Sequence, residues 1–421
     1  MLFHFFHKIL DETVTLAETL PNFRVLKKEV ITGTYFKKPT VLGKGNLERI
    51  AGEIHSSGSI NCAVFGMNQL TAKQQRILEE RLGIKVYDRY AIVLRIFLER
   101  ACTKEARIQT ALAEIPYIRS RLRFLHENST QHQNLTNQIG GIGEKYFLQR
   151  KEILEERERK LIRKLNKLEQ SKEMQNCTRQ KHSNIPVVAV VGYTNSGKTS
   201  LIKYMTKDDS LVPRDQLFAT LDISYHKGRL ASGQHLFFMD TIGFISNIPT
   251  GLISAFNATL KEILRADLVL HVYDVSHPDL QRQRETVDHT LKERIKLPEK
   301  LLSTMMEVGN KIDLLKDEQI DQLLLSESSQ KQLWISLTDL INVKDLKEMI
   351  EQKIHENIGR RRRRVRVQSG GKDYSWLIKN AVMLTVQVDN EDANFLVIDL
   401  LITEKLFNIM SHMFPNVKTI Q

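Results

Sequence analysis

The stretch Gly192-Tyr193-Thr194-Asn195-Ser196-Gly197-Lys198-Thr199, GYTNSGKT, follows the apolar run VVAVV at 187–191. A glycine, four residues and then Gly-Lys-Thr is the spacing of a loop that wraps phosphates, provided a strand precedes it and a helix follows. The apolar run supplies the strand and SLIKYMT, from Ser200, the helix. In such a loop the backbone N–H groups from Gly192 through Asn195, Ser196, Gly197 and on to Ser200 converge on a β-phosphate. Lys198 reaches the β and γ oxygens, the Thr199 hydroxyl ligates Mg²⁺, and the helix offers its positive N-terminus. The stretch alone names neither the nucleotide nor the use of its hydrolysis.

Further motifs follow in order. LFFMDTIG is an apolar strand ending in Asp240, placed to hold Mg²⁺, and the Gly243 N–H is placed to sense a γ-phosphate. VGNKID supplies Asn310, Lys311 and Asp313. A carboxylate at Asp313 accepts from the N1–H and the exocyclic amine of guanine, donors that adenine lacks, so the set points to GTP rather than ATP. WISLTD sits where a base-backing loop belongs, with Ser336 the expected contact. Thr220, in QLFATLD, is the candidate switch threonine that closes over Mg²⁺ when a γ-phosphate is present; its plain alternative is a strand residue. Lys198, Thr220 and Gly243 are thus the candidate catalytic groups, and Thr199, Thr220 and Asp240 the candidate metal ligands.

Composition sets the frame. The chain has 421 residues, 41% hydrophobic and 27% charged, with a net charge of +12 and a pI near 9.4. That size allows several domains, and that charge favours a polyanionic partner. Cys62, Cys102 and Cys177 lack metal-ligand spacing and suggest a reducing compartment. No apolar run approaches a membrane span. The opening MLFHFFHKIL is soon followed by Asp11, Glu12 and Glu18, a poor transit peptide that reads as an incomplete or alternative terminus.

Five regions are expected. Residues 1–37 form an N-terminal extension and 38–102 a small α/β domain. Residues 103–182 form a helical arm, an antiparallel pair joined by the polar loop HENSTQHQNLTNQIGGIGEK. A nucleotide-binding domain spans 183–357, with a mostly parallel sheet and helices on both faces. A basic linker and small α+β domain occupy 358–421, with strands at RVRVQ, AVMLTVQVD and FLVIDLLIT and a helix at EKLFNIMSHMF.

The ordered set resembles the HflX family of translation-associated GTPases. GYTNSGKTSL, LFATLD, DTIGFI, AFNATLKEILRADLVLHVYDVSHP and NKIDLL are similar to that family's signatures. So are the upstream VLGKGNLERI, QQRILEERLGIKVYDR and GGIGE, and the likeness spans about residues 38 to 345. The tail YSWLIKNAVMLTVQV…MSHMFP looks like the mitochondrial members from animals. The resemblance implies a GTPase whose N-terminal domain and helical arm dock on the large ribosomal subunit and its rRNA. It implies ribosome dissociation, recycling or late large-subunit assembly, with no DNA or membrane partner. Mitochondrial placement follows from the tail, with a cytoplasmic one as the alternative. Two departures stand out: GGIG continues into EKYFLQ rather than a Gly-Pro-Gly-Glu type sequence, and Ser196 replaces the usual alanine.

Phe244 follows Asp-x-x-Gly where many small GTPases carry a water-positioning glutamine. Phenylalanine cannot position or deprotonate water, so unaided hydrolysis is expected to be slow unless another residue substitutes. The run Arg360–Arg364 reads alone as a solvated linker, and beside a ribosomal partner as an RNA phosphate contact. The competing function is a regulatory GTPase switch acting on a protein or membrane partner.

Overall fold

The computed structural model describes residues 2–31, 39–133, 142–182, 185–213, 216–230, 232–246, 256, 259–316, 318, 332–389, 392–415 and 417–420. The chain divides into two compact units. The first comprises Met1–Asn176, Asp215–Asp222 and Ile245–Thr259; the second comprises Cys177–Arg214, Ile223–Phe244 and Leu260–Gln421. The chain therefore leaves the second unit twice to supply short segments of the first.

In the first unit, helices α1 (Leu2–Glu18) and α2 (Lys44–Ser57) precede strand β1 (Cys62–Phe65). Helix α3 (Ala72–Leu82) then leads to β2 (Lys85–Asp88) and α4 (Arg89–Arg100). The two strands pair in parallel, Cys62 opposite Lys85 and Phe65 opposite Asp88. A parallel pair needs a crossover, and α3 provides it, started by a capping box between Thr71 and Gln74. Val86, Leu78 and Leu82 close a core with Leu42, Leu47 and Ile54. Asp88 organises the turn into α4, accepting from the N–H groups of Leu70 at 2.9 Å and Ala91 at 2.8 Å and pairing with Arg121 at 3.1 Å. Residues 1–37, expected as an extension, contribute α1; its Leu16, and Leu20 just beyond its end, are buried.

Helices α5 (Lys104–Gln133) and α6 (Ile142–His182) follow. Glu114 faces Arg157 and Glu105 faces Lys172, so the pair runs antiparallel. The polar stretch expected as a loop from His126 is helical as far as Gln133 and helical again from Ile142. Of the GGIG expectation, Gly140 and Gly141 lie outside the described residues, and Ile142 and Gly143 open α6.

The two excised segments are held by α4 and α5. Arg100 donates to the Phe218 carbonyl at 2.9 Å, and the Thr103 hydroxyl donates to Asp222 at 2.6 Å. Phe97 packs edge-on against both Phe218 and Phe256. Buried Arg89 donates to the Ser246 carbonyl at 2.9 Å and pairs with Glu12 at 2.9 Å.

The second unit contains two sheets. The larger has six strands: β3 (Val187–Gly192), β4 (Ser224–Arg229), β5 (His235–Asp240), β6 (Leu268–Asp274), β7 (Met306–Asn310) and β8 (Gln332–Trp334). Their order is β4-β5-β3-β6-β7-β8, parallel except for the β4–β5 pair. β6 is buried at all seven positions, as expected for a strand covered on both faces. Helix α7 (Lys198–Thr206) packs Leu201, Ile202 and Met205 on this sheet. Helices α8 (Leu280–His289) and α9 (Glu299–Thr304) follow β6, and α10 (Val343–Ile358) closes the core with Leu346, Ile350 and Ile354.

The smaller sheet corrects the sequence reading. Arg360–Arg364 is no linker: the run opens β9 (Arg360–Gln368), an interior strand. Helix α11 (Lys372–Asn380), β10 (Val382–Val388), β11 (Phe395–Thr403), helix α12 (Glu404–Met413) and β12 (Lys418–Ile420) complete a βαββαβ module in the antiparallel order β10-β11-β9-β12. Val365, Val367, Leu377, Ile398, Leu400, Ile402 and Met410 form its core.

Candidate nucleotide site

β3 delivers the phosphate loop at the carboxyl ends of the parallel strands, where open α/β sheets bind ligands. Two glycines make the loop's path possible. A Cβ at Gly192 would lie 2.0 Å from the Val272 carbonyl oxygen. At Gly197, with φ +94°, a Cβ would lie 2.2 Å from Asn310 Nδ2. That contact exists because Asn310 Nδ2 donates to the Ser196 carbonyl at 3.0 Å, tying the end of β7 to the loop.

Lys198, at the start of α7, is buried, and its Nζ donates to the Tyr193 carbonyl at 2.7 Å and the Gly192 carbonyl at 3.3 Å. Burial pulls its pKa down to about 8, with Asp240 pulling the other way. The Thr199 hydroxyl donates to Asp240 Oδ2 at 2.8 Å, so two hard oxygen donors meet beside the loop. Ser200 is half-buried in the next position of α7, and Asn195 is exposed at φ +63°. The buried Ser196 Oγ, Thr194 Oγ1 and Asn310 Oδ1 have no hydrogen-bond partner among the described residues. Such a cluster of unsatisfied polar atoms marks a place for a ligand.

The segment after β5 is laced to the same loop. Thr241 Oγ1 donates to the Val190 carbonyl at 2.7 Å. A Cβ at Gly243 would meet Thr194 Cγ2 at 2.8 Å and Lys198 Nζ at 3.1 Å. Phe244 is buried, and its backbone exchanges hydrogen bonds with the loop, N–H to the Gly192 carbonyl at 3.0 Å and carbonyl from the Thr194 N–H at 2.7 Å.

On the far side, Asp313 Oδ1 accepts from Ser336 Oγ at 2.7 Å, and Ser336 is fully buried. Lys311, at φ +69°, pairs its ammonium with Asp274 Oδ2 at 2.7 Å. Asp274 was missed in the sequence. The usable signal was its place at the carboxyl end of a largely apolar strand, LVLHVYD. Thr220 is half-buried in irregular structure, not in a strand, and belongs to the first unit.

Comparison with known proteins completes the picture. A family profile described as "50S ribosome-binding GTPase" matches residues 187–311. Profiles described as "GTP-binding GTPase N-terminal" and "GTP-binding GTPase Middle Region" match 7–98 and 100–179. The GTPase HflX of Caldanaerobacter subterraneus is 36% identical over 357 residues, 83% of this chain and 76% of that protein. The chain belongs to the HflX family of GTPases. Within this family, GTP-binding protein 6 of Xenopus laevis is 37% identical over 381 residues, 90% of this chain and 71% of the relative. A GTP-binding protein of Arabidopsis thaliana described as chloroplastic is 34% identical over 73% of this chain and 54% of its own length. As an HflX-family member the chain hydrolyses GTP, and no helix among the described residues is long and apolar enough to cross a membrane.

Proposed function

We propose that the chain is a Mg²⁺-dependent GTPase that binds the large ribosomal subunit in its GTP form. There it promotes ribosome dissociation and recycling, late large-subunit assembly, or both, and hydrolysis resets it. The observation that carries this reading is the match of residues 187–311 to a ribosome-binding GTPase profile. The +12 charge of the whole chain agrees with an rRNA-bearing partner.

The site divides its work by chemistry. Gly192, Asn195, Ser196, Gly197 and Ser200 cradle the phosphates through their backbone, and the Lys198 ammonium neutralises them. Thr199 and Asp240, already joined at 2.8 Å, present the hard oxygens that suit Mg²⁺. Asn310, Lys311 and Asp313 read guanine, with Ser336 fixing the carboxylate from behind. The Gly243 N–H answers a γ-phosphate, and Thr220 closes over the metal when that phosphate is present. Phe244 is anchored and apolar, so water positioning comes from elsewhere, with the ribosome as its source.

An organellar compartment, mitochondrial by the likeness of the tail, is part of the proposal, supported by the chloroplastic description of the plant relative. Sedimentation tests the reading. With a non-hydrolysable GTP analogue the chain should comigrate with large subunits, and with GDP it should stay at the top of the gradient. Nucleotide-independent absence from the subunit fractions would favour a switch for a protein or membrane partner.

A further inference from the structure

The βαββαβ module has two chemically different sheet faces. Helices α11 and α12 cover one, over Val365, Val367, Ile398, Leu400 and Ile402. Side chains alternate along a strand, so the arginine run at the start of β9 is divided between the faces. Arg361 lies 3.6 Å from Glu404 of α12, and the Arg363 guanidinium sits 5.0 Å over the ring of Phe407, also on α12. Those two arginines are committed to the covered face.

Arg362 and Arg364 lie on the other face and share one carboxylate. Arg362 Nη2 donates to Asp399 Oδ2 at 2.8 Å; Arg364 donates to Oδ1 from Nε at 2.7 Å and to Oδ2 from Nη2 at 3.1 Å. The Asp399 side chain is only 5% exposed, whereas those of Arg362 and Arg364 are 65% and 50% exposed. The two guanidiniums hold the Asp399 carboxyl far below the usual carboxylate range. Arg366 continues the row, paired with Asp389 and lying 4.4 Å over the ring of Phe395.

We infer that this open face is an RNA-binding surface, with Arg362 and Arg364 as its phosphate contacts. A buried carboxylate fixes both guanidinium planes, yet each fork keeps N–H donors free toward solvent. That is the preorganised, bidentate geometry that suits phosphate oxygens. Alternate residues on a strand stand about 6.8 Å apart, comparable to the separation of consecutive phosphates along a nucleic-acid strand. Arg366, held over the ring of Phe395, extends the cationic row along the same face. Residues 358–421 carry ten basic and six acidic side chains, so the module is cationic as a whole. The inference deepens the ribosomal reading, on which it rests for the source of the RNA, by naming a second contact surface outside the GTPase site.

The test compares equal charge changes on opposite faces of one strand. In the full chain, Arg362→Gln/Arg364→Gln is set against Arg361→Gln/Arg363→Gln, with binding of a labelled unstructured RNA oligonucleotide followed by anisotropy across a salt series. The open-face pair should lose affinity several-fold, and its log–log salt slope should shallow by about 1.4, roughly 0.7 for each lost single-strand phosphate. The covered-face pair should bind RNA like the parent. Removing both partners of Asp399 leaves a buried unpaired carboxylate, so Arg362→Lys/Arg364→Lys serves as the second variant. It keeps the charge but not the forks, and should weaken binding while GTP affinity stays unchanged. Equal losses from the two faces would overturn the inference, as would no loss from either open-face variant. So would transfer of the arginine dependence from RNA to anionic phosphatidylserine vesicles. Parent RNA binding that depends on Arg362 and Arg364, without comigration with large subunits, would refute the ribosomal reading and leave this surface standing. Comigration with unaltered RNA binding by the open-face variants would do the reverse.

Discussion

Raising the pH from about 7 to about 9 should weaken GTP binding roughly tenfold, and Lys198 is the reason. Its ammonium is buried against the Gly192 and Tyr193 carbonyls, and burial lowers its pKa to about 8 despite Asp240. Phosphates need the charged form, and the group loses its proton as the pH rises through that value. About nine-tenths of the lysine is protonated at pH 7 and about one-tenth at pH 9. Apparent affinity follows that fraction, a change of about 1.4 kcal/mol. An unshifted lysine would hold affinity level across the same interval. Titration of a fluorescent GTP analogue at fixed Mg²⁺ measures the effect. Calorimetry in two buffers of different ionisation enthalpy should show proton uptake on binding near pH 8. Lys198→Arg, which keeps its charge, isolates whatever pH dependence belongs to the base. Level affinity from pH 7 to pH 9, with no proton uptake, would refute the reasoning and return Lys198 to the ordinary lysine range.

Three further outcomes are expected. Asp313→Asn should weaken GTP and improve xanthosine triphosphate, a discrimination change of a few kcal/mol in a competition assay; an unchanged preference would show that another group reads the base. Gly192→Ala should abolish nucleotide binding and lower thermal stability by about 1–3 kcal/mol, because its Cβ would sit 2.0 Å from a backbone oxygen of the adjoining strand. Burial holds buried His271 down at about pKa 4 against 6.5 in the unfolded chain, so the unfolded state binds more protons between those values. The stability this contributes is complete above about pH 6.5 and is lost as pH falls toward 4, by on the order of 3 kcal/mol. Chemical denaturation of the parent and of His271→Asn across that window measures the slope, which should be confined to the parent.

The nucleotide site was the most legible part of the sequence, because its motifs are local and each element supplies its own backbone context. GYTNSGKT, DTIG and NKID stand at the ends of β3, β5 and β7, and the sheet brings their residues within hydrogen-bond distance of one another. What could not be read depends on tertiary partners. Asp274 acquires its place only when β6 and β7 lie side by side and Lys311 turns back onto it. The strand at Arg360 was hidden for a different reason. Five identical residues have no period, so neither alternation nor a face could be seen, and only pairing with β11 separates Arg362 and Arg364 from their neighbours. Strand β12 was missed because it has three residues and takes its register from β9, and helix α11 was not read from the sequence. The grouping of Asp215–Asp222 and Ile245–Thr259 with the first unit has no local signature, since it rests on contacts such as Arg100 to the Phe218 carbonyl, more than a hundred residues apart.

The most direct measurement is the single-turnover GTP hydrolysis rate with and without purified large ribosomal subunits. Phe244 is buried and stitched to the phosphate loop, so the chain alone should bind GTP and turn it over slowly. Subunits should accelerate hydrolysis at least tenfold, which needs only about 1.4 kcal/mol of barrier lowering from ordered switch segments. Rapid unaided hydrolysis that large subunits leave unchanged would contradict the account.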